Sequence, residues 1–286
     1  MATKLIQTTS DPTTANTSAV QYINNETRWH NTSTGDVFMC VDSTAGTWAK
    51  IYDNAAFELD LRENWEYFDD FNQKALDETN GQWILNSGTD AQAVDPAIST
   101  AELGTIAVVT GDLDGTTAAD ASQIVLAIPV QADSGGLTFE ARLKIGTAIT
   151  GVSVFFGLTD VTTLEEPFTG ATVTITSNAS NAVGFLYDAG LTSKTWHMCG
   201  VDGDTDATTN GTLTSAPVAD TYQILKCVVA ASGESAEFFV DGVSKGSLTA
   251  AVCAASTNLY LTLVACATTT ASKTVTADYL YISCNR

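Results

Sequence analysis

From residue 83 to residue 282 the chain is a succession of short apolar runs, each bounded by Gly, Asn, Asp or Ser, with no long helix-forming stretch between them. The run Leu137-Thr-Phe-Glu-Ala-Arg-Leu-Lys-Ile145 alternates apolar and polar residues, the period of a half-buried strand. Runs of the same kind occur at 83–85, 104–109, 123–128, 152–158, 173–175, 182–187, 195–199, 222–229, 237–240, 258–265 and 275–282. A dozen turn-punctuated strands predict an all-β fold, an antiparallel β-sandwich. Asp241-Gly242, set between two such runs, is the signature of a two-residue hairpin. The composition agrees, because 44 of the 286 residues are threonine, a β-branched residue suited to a pleated surface.

Charge removes several classes of function. Twelve basic residues face 33 acidic ones, a net charge of −21, and phosphate contact needs clustered Lys and Arg. Nucleic acid is therefore excluded as a partner, as is recruitment to anionic membranes. The opening Met-Ala-Thr-Lys-Leu-Ile-Gln has no apolar segment of a secretion signal, and no apolar run reaches the ~18 residues of a membrane span. These features predict synthesis in a cytoplasm without membrane insertion. Of the six cysteines, the closest in sequence are Cys253 and Cys266, 13 positions apart. No CxxC pair exists, so the thiols are expected to be reduced and buried.

Composition divides the chain in three. Residues 1 to about 20 carry few large apolar side chains and need a partner to become ordered. With the short strands at 28–31, 34–41 and 47–52 they make an N-terminal β module over 1–52, too small to be stable without docking or oligomerisation. Residues 53–65 are rich in helix formers, with Phe57, Leu61 and Trp65 four apart, and are predicted as a linker with a short helix. The sandwich is predicted over 66–286.

Two resemblances follow from the residues. Phe68-Asp-Asp-Phe71, Trp83, Leu137–Leu143, Glu237-Phe-Phe-Val-Asp-Gly242 and Ala277-Asp-Tyr-Leu-Tyr-Ile282 together resemble the concanavalin A-like (laminin-G-like) jelly roll. Trp29, Asn31, Gly35, Asp36 and Phe38, followed by Trp48, are similar to an N-terminal module of tailed-phage virion proteins. The pair implies a phage fibre or capsid-decoration protein. It would be a non-enzymatic homotrimer, displayed on the virion after synthesis in the bacterial cytoplasm, with 1–52 attached to phage capsid or tail proteins. A tail-fibre adhesin binding host surface glycans is the alternative, and a glycan-degrading enzyme the third reading.

Candidate chemistry is sparse. Glu58, Asp60 and Glu63 approach the glucanase pattern of alternating carboxylates, but Arg62 breaks its spelling. In a helix Glu58 and Glu63 would diverge by about 140°, so no catalytic residue is assigned. Asp202, Asp204 and Asp206 resemble an oxygen-ligand Ca²⁺ loop, with Asp112 and Asp114 a second candidate, and a plain polar turn is the default for both. No other cofactor is expected. Tyr187 and Trp196 are the aromatics assigned to stacking on a glycan. The only histidines, His30 and His197, each follow a Trp and are read as buried or rim residues.

Overall fold

The computed structural model describes residues 4–8, 27–31, 33, 37–42, 47–52, 64–72, 76, 82–90, 92–112, 120–207, 210–250 and 252–285. Two compact units divide at Trp65/Glu66. In the first, β1 (Lys4–Thr8), β2 (Thr27–Asn31), β3 (Val37–Asp42) and β4 (Thr47–Tyr52) form one sheet in that order. The sparse N-terminal arm finds its partner within the unit: β1 pairs in parallel with β2, Lys4 opposite Thr27.

β5 (Asn64–Asp69) begins at the division, and the second unit continues with β6 (Trp83–Ser87), β7 (Val94–Ile98), β8 (Ile106–Val109), β9 (Ala121–Leu126), β10 (Leu137–Ile145), β11 (Val152–Thr159) and β12 (Phe168–Ala171). It continues through β13 (Thr174–Ser177), β14 (Ala182–Asp188), β15 (His197–Asp202), β16 (Thr205–Asp206), β17 (Gly211–Thr212) and β18 (Gln223–Val229). The last strands are β19 (Ser235–Val240), β20 (Val243–Thr249), β21 (Tyr260–Ala267) and β22 (Thr274–Asn285). The first large sheet runs β20-β19-β18-β10-β22-β8-β7, with β5 also on β22. The second runs β16-β15-β14-β11-β21-β9-β6, with β17 on β15. Every pairing registered within the two sheets is antiparallel.

The sheets face each other through large rings. Phe139 of β10 meets Phe156 of β11 edge-on at 5.6 Å, and Phe238 of β19 meets Phe185 of β14 at 5.0 Å, all four fully buried. Burial of such side chains is the main stabilising force of the unit. The Phe68-Asp-Asp-Phe71 motif is structural: Asp69 accepts hydrogen bonds from the Trp83 indole at 2.9 Å and the Phe71 amide at 2.8 Å, and the Phe71 and Trp83 rings pack 5.8 Å apart in the core.

One expectation at the linker changes. Trp65 lies in β5, not in a helix, while Phe57 and Leu61 fall outside the described residues. β7 contains Pro96, which the strand pattern passed over. It lies at a sheet edge with an irregular register, where a residue without an N–H is tolerated.

Candidate functional site

The central strands β9, β11 and β14 of the second sheet are buried on both faces. In β11, Phe156 points to the opposite sheet, so Ser153, Phe155, Gly157 and Thr159 point outward, and all eight residues of the strand are buried. The cover is the 160–181 connection between β11 and β14. Its Phe168 lies 5.6 Å from Phe155, and with Ala179, Leu191, Leu164 and Ile175 it builds a second apolar core against Leu186, Cys199, Val201 and Val264. Two facing glycines make the close packing possible. A Cβ on Gly157 would come 2.2 Å from the Val183 carbonyl, and one on Gly184 2.8 Å from the Phe155 ring.

A cleft of about 510 Å³ opens at the rim of this covering layer. One wall is the tip of the β12–β13 hairpin, residues 172–175; the opposite wall is His197 on β15 with Asn210, Gly211 and Thr212 around β17. The loop 191–193 joins them, tied by Thr172 N–H to the Gly190 carbonyl at 3.1 Å. Lys194 secures the same loop by donating to the Ala189 and Leu191 carbonyls. The surface is amphipathic: Leu191 and Ile175 are apolar, while Thr172, Thr174, Thr192, Ser193 and Thr212 supply hydroxyls. Two buried polar atoms on the walls meet no partner in hydrogen-bond geometry, Nδ1 of His197 and Nδ2 of Asn210, although Asn210 Oδ1 accepts the Gly200 N–H at 2.8 Å. Burial holds the His197 imidazole below its usual pKa, outweighing the neighbouring Thr195 and Leu186 carbonyls and Asp188.

Behind the hairpin wall lies a group of carboxylates. Asp188, at the end of β14, accepts the Gly170 amide at 2.7 Å and the Gly190 amide at 2.6 Å. Glu166 of the covering segment is pushed up to about 7, first by burial of its carboxyl and then by Asp188 and Asp120, while hydrogen bonds from Ser153 and Cys266 pull the other way. Among the described residues no group of His, Cys, Asp and Glu is arranged to hold a metal ion.

The aromatics assigned to glycan contact are core residues. Tyr187 and Trp196 are each 1% exposed, pack 6.0 Å apart, and spend their polar atoms inside the protein, Tyr187 Oη on the Ile149 carbonyl at 3.0 Å and Trp196 Nε1 on Gln223 at 2.9 Å. The reason is register: Tyr187 opposes Val154 on the inner face. The Ca²⁺ reading of Asp202, Asp204 and Asp206 meets a similar obstacle. They belong to the β15–β16 hairpin, whose turn residues Gly203 and Asp204 both have positive φ. Asp202 opposes Thr205 and Asp206 opposes Val201, so Asp202 and Asp206 point to opposite faces, and Asp204 is engaged by the Ser180 hydroxyl at 2.6 Å.

Of the N-terminal residues, Trp29 pairs with Phe38 and Trp48 with Cys40 across the small sheet, and Asn31 is buried with its side chain capping the Ser33 amide at 2.9 Å. Gly35, Asp36, Glu58, Asp60, Glu63 and Asp114 lie outside the described residues. Sequence reasoning singled out His197 but not Asn210 or the hairpin tip. Asn210-Gly211 was a turn signal available to it.

No family model and no curated protein matches the chain. Solved structures do. LamA from Zobellia galactanivorans, in complex with laminaritriose and laminaritetraose, superposes with a TM-score of 0.53 at 12% identity, over 77% of this chain and 98% of that one. The laminarinase from Rhodothermus marinus gives 0.52 at 9% identity, over 77% and 96%. The endo-β-1,3-glucanase from Pyrococcus furiosus gives 0.50 at 14% identity, over 77% and 94%. The sandwich is a concanavalin A-like jelly roll. The expectation of a non-enzymatic structural protein is overturned here: these structures that share the fold are laminarinases and glucanases. That expectation rested on a short N-terminal pattern and on the missing catalytic spelling at 58–63, and one fold serves display and catalysis equally.

Proposed function

We propose that this protein is a glycan-active jelly roll that binds carbohydrate in the cleft between the β12–β13 hairpin and the β15–β17 edge. The observation that carries the reading is the pair of unpartnered buried polar atoms, His197 Nδ1 and Asn210 Nδ2, on the walls of a cleft that also offers apolar surface and hydroxyls. A sugar ring has the matching chemistry, with C–H faces for Leu191 and Ile175 and hydroxyls for the polar rim. The glucanases and laminarinases that share the fold make β-1,3-glucan the first ligand to test. Calorimetric titration with laminarin oligosaccharides is expected to show binding that weakens about tenfold in His197→Ala and in Asn210→Ala, the loss of one buried hydrogen bond each. Absence of binding to a panel of β-glucans, or equal affinity in both variants, overturns the reading.

One observation favours cleavage of the bound glycan as well. The Glu166 carboxyl, raised to about 7 by burial, stands beside Asp188, and a pair of carboxyl groups, one of them able to donate a proton near neutrality, is what glycoside hydrolysis requires. Release of reducing ends from laminarin that disappears in Glu166→Gln is the expected result of this second reading. Undiminished release in the variant, or none in the native protein, overturns it.

A further inference from the structure

The outer face of the first sheet carries a row of side chains that is complementary to its own reverse. Strand register places Tyr281 of β22 beside Glu140 of β10, Glu140 beside Lys226 of β18, and Lys226 beside Phe239 of β19. All four point away from the sandwich, because their neighbours along each strand, Leu280 and Ile282, Phe139 and Ala141, Leu225 and Cys227, Phe238 and Val240, are buried in it. The row reads ring, carboxylate, ammonium, ring. On one side of it lie Tyr279, Arg142 and Ile224, and on the other Ser283, Thr138, Val228 and Glu237. Contacts within the chain hold these side chains in place. Phe68 of β5 packs 5.5 Å from the Tyr279 ring, Tyr279 Oη donates to Glu140 at 2.6 Å and Tyr281 Oη to Glu66 at 3.4 Å, Arg142 pairs with Asp278 at 2.7 Å, and the Lys226 ammonium lies 6.0 Å from the centre of the Phe239 ring. Apolar surface nonetheless faces solvent here, with Phe68 56% and Val228 37% exposed.

We propose that this face binds a second copy of the chain, in a two-fold dimer that stacks the outer sheets of the two copies. A two-fold axis lying between the faces, parallel to the strands and midway between β10 and β18, sets Glu140 against Lys226 of the second copy and Lys226 against its Glu140. The same axis sets Tyr281 against Phe239, Thr138 against Val228, Ser283 against Glu237 and Arg142 against Ile224, so no like charges meet in these rows. Aligned sheets pack about 30° apart, a rotation that displaces the ends of the rows most and the central Glu140–Lys226 pair least. Charge is the reason for choosing a second copy as the occupant. Each copy carries a net charge of −21, so two copies can approach only through a face on which opposite charges alternate and match across the contact. Six strands at ~4.8 Å by about six residues at ~3.3 Å make this face roughly 30 by 20 Å, of the same order as the ~800 Å² per partner of a standard interface. The interface is independent of the glycan cleft, whose walls belong to the second sheet and its cover.

Sedimentation equilibrium of the full chain over roughly 1–100 μM is expected to show a monomer–dimer equilibrium. Glu140→Lys leaves two ammonium groups in each row and Lys226→Glu leaves two carboxylates. Each variant alone should therefore self-associate at least about 100-fold more weakly, since two symmetry-related like-charge contacts arise per dimer. An equimolar mixture of the two variants should recover a heterodimer, because the lysines of one copy then face the glutamates of the other, and recovery excludes misfolding as the cause of the loss. Val228→Arg, a change at an already exposed position, should also dissociate the dimer, whatever the folding of the charge variants. Hydroxyl-radical labelling of Tyr281 and Phe239 should fall as protein concentration rises. A native chain that stays monomeric or assembles only as a trimer, an equally tight dimer in all three variants, or variants that melt like the native chain yet fail to pair when mixed, overturns the interface. Protection of Tyr281 and Phe239 that requires laminarin oligosaccharides rather than a higher protein concentration assigns the face to a sugar and overturns it equally.

Discussion

Trp196 shows how one side chain is committed to two tasks. Its ring fills the space between Phe185 and Tyr187 while its indole N–H satisfies Gln223, so replacing it removes packing and orphans a buried amide. Trp196→Ala is expected to cost about 3–5 kcal/mol in urea unfolding, a larger loss than the same change at the half-buried Tyr279. The thiols are a second case. Cys199, Cys227, Cys253, Cys266 and Cys284 are buried thiols, and burial pushes Cys253 up to about 12 and Cys199 and Cys227 well above the ordinary thiol range. A thiol that stays protonated is a poor nucleophile, so these five should resist alkylation at pH 8 in the folded protein. Denaturation without reductant should expose six reactive thiols, and mass spectrometry of the alkylated chain counts them.

Elements translate such local chemistry into register. The β19–β20 hairpin closes through Asp241 and Gly242, both at positive φ, and Asp241 Oδ1 accepts the Ile224 amide at 2.9 Å, anchoring the turn to β18. A methyl group on Gly242 would meet nothing within 4 Å, so Gly242→Ala should cost only the backbone strain of its conformation, about 1 kcal/mol. Gly157→Ala is the contrasting experiment, because its methyl would enter the backbone of β14. An expected loss of about 1–3 kcal/mol or more, from overpacking, separates a glycine kept for its φ from one kept for space. Both are read from denaturant midpoints. The β15–β16 hairpin gives a third test: with Asp202 and Asp206 on opposite faces, millimolar Ca²⁺ should leave the thermal midpoint unmoved, since a ligand stabilises only by binding the folded state.

At the scale of the whole molecule, the large apolar core lies within 66–286, and the four-stranded N-terminal sheet is a separate unit. A chain lacking residues 1–52 is expected to melt cooperatively within a few degrees of the intact sandwich, as calorimetry would show. The sequence by itself determined the β class, the antiparallel pairing and the Asp241-Gly242 turn, because these depend on neighbours two to four residues apart. Strand β10 was legible residue by residue, since one of its faces meets the core and the other does not, and period-two alternation survives in the amino acids. In β9, β11 and β14 every residue is buried, so alternation is erased and nothing local distinguishes the inner Tyr187 from the outer Leu186. That is why glycan contact was assigned to core aromatics. The cleft had no motif to find: it exists because a segment inserted between β11 and β14 folds back across the sheet and brings 172–175 to His197 and Asn210. Proximity of that kind is a property of chain topology, and only the tertiary structure decided it.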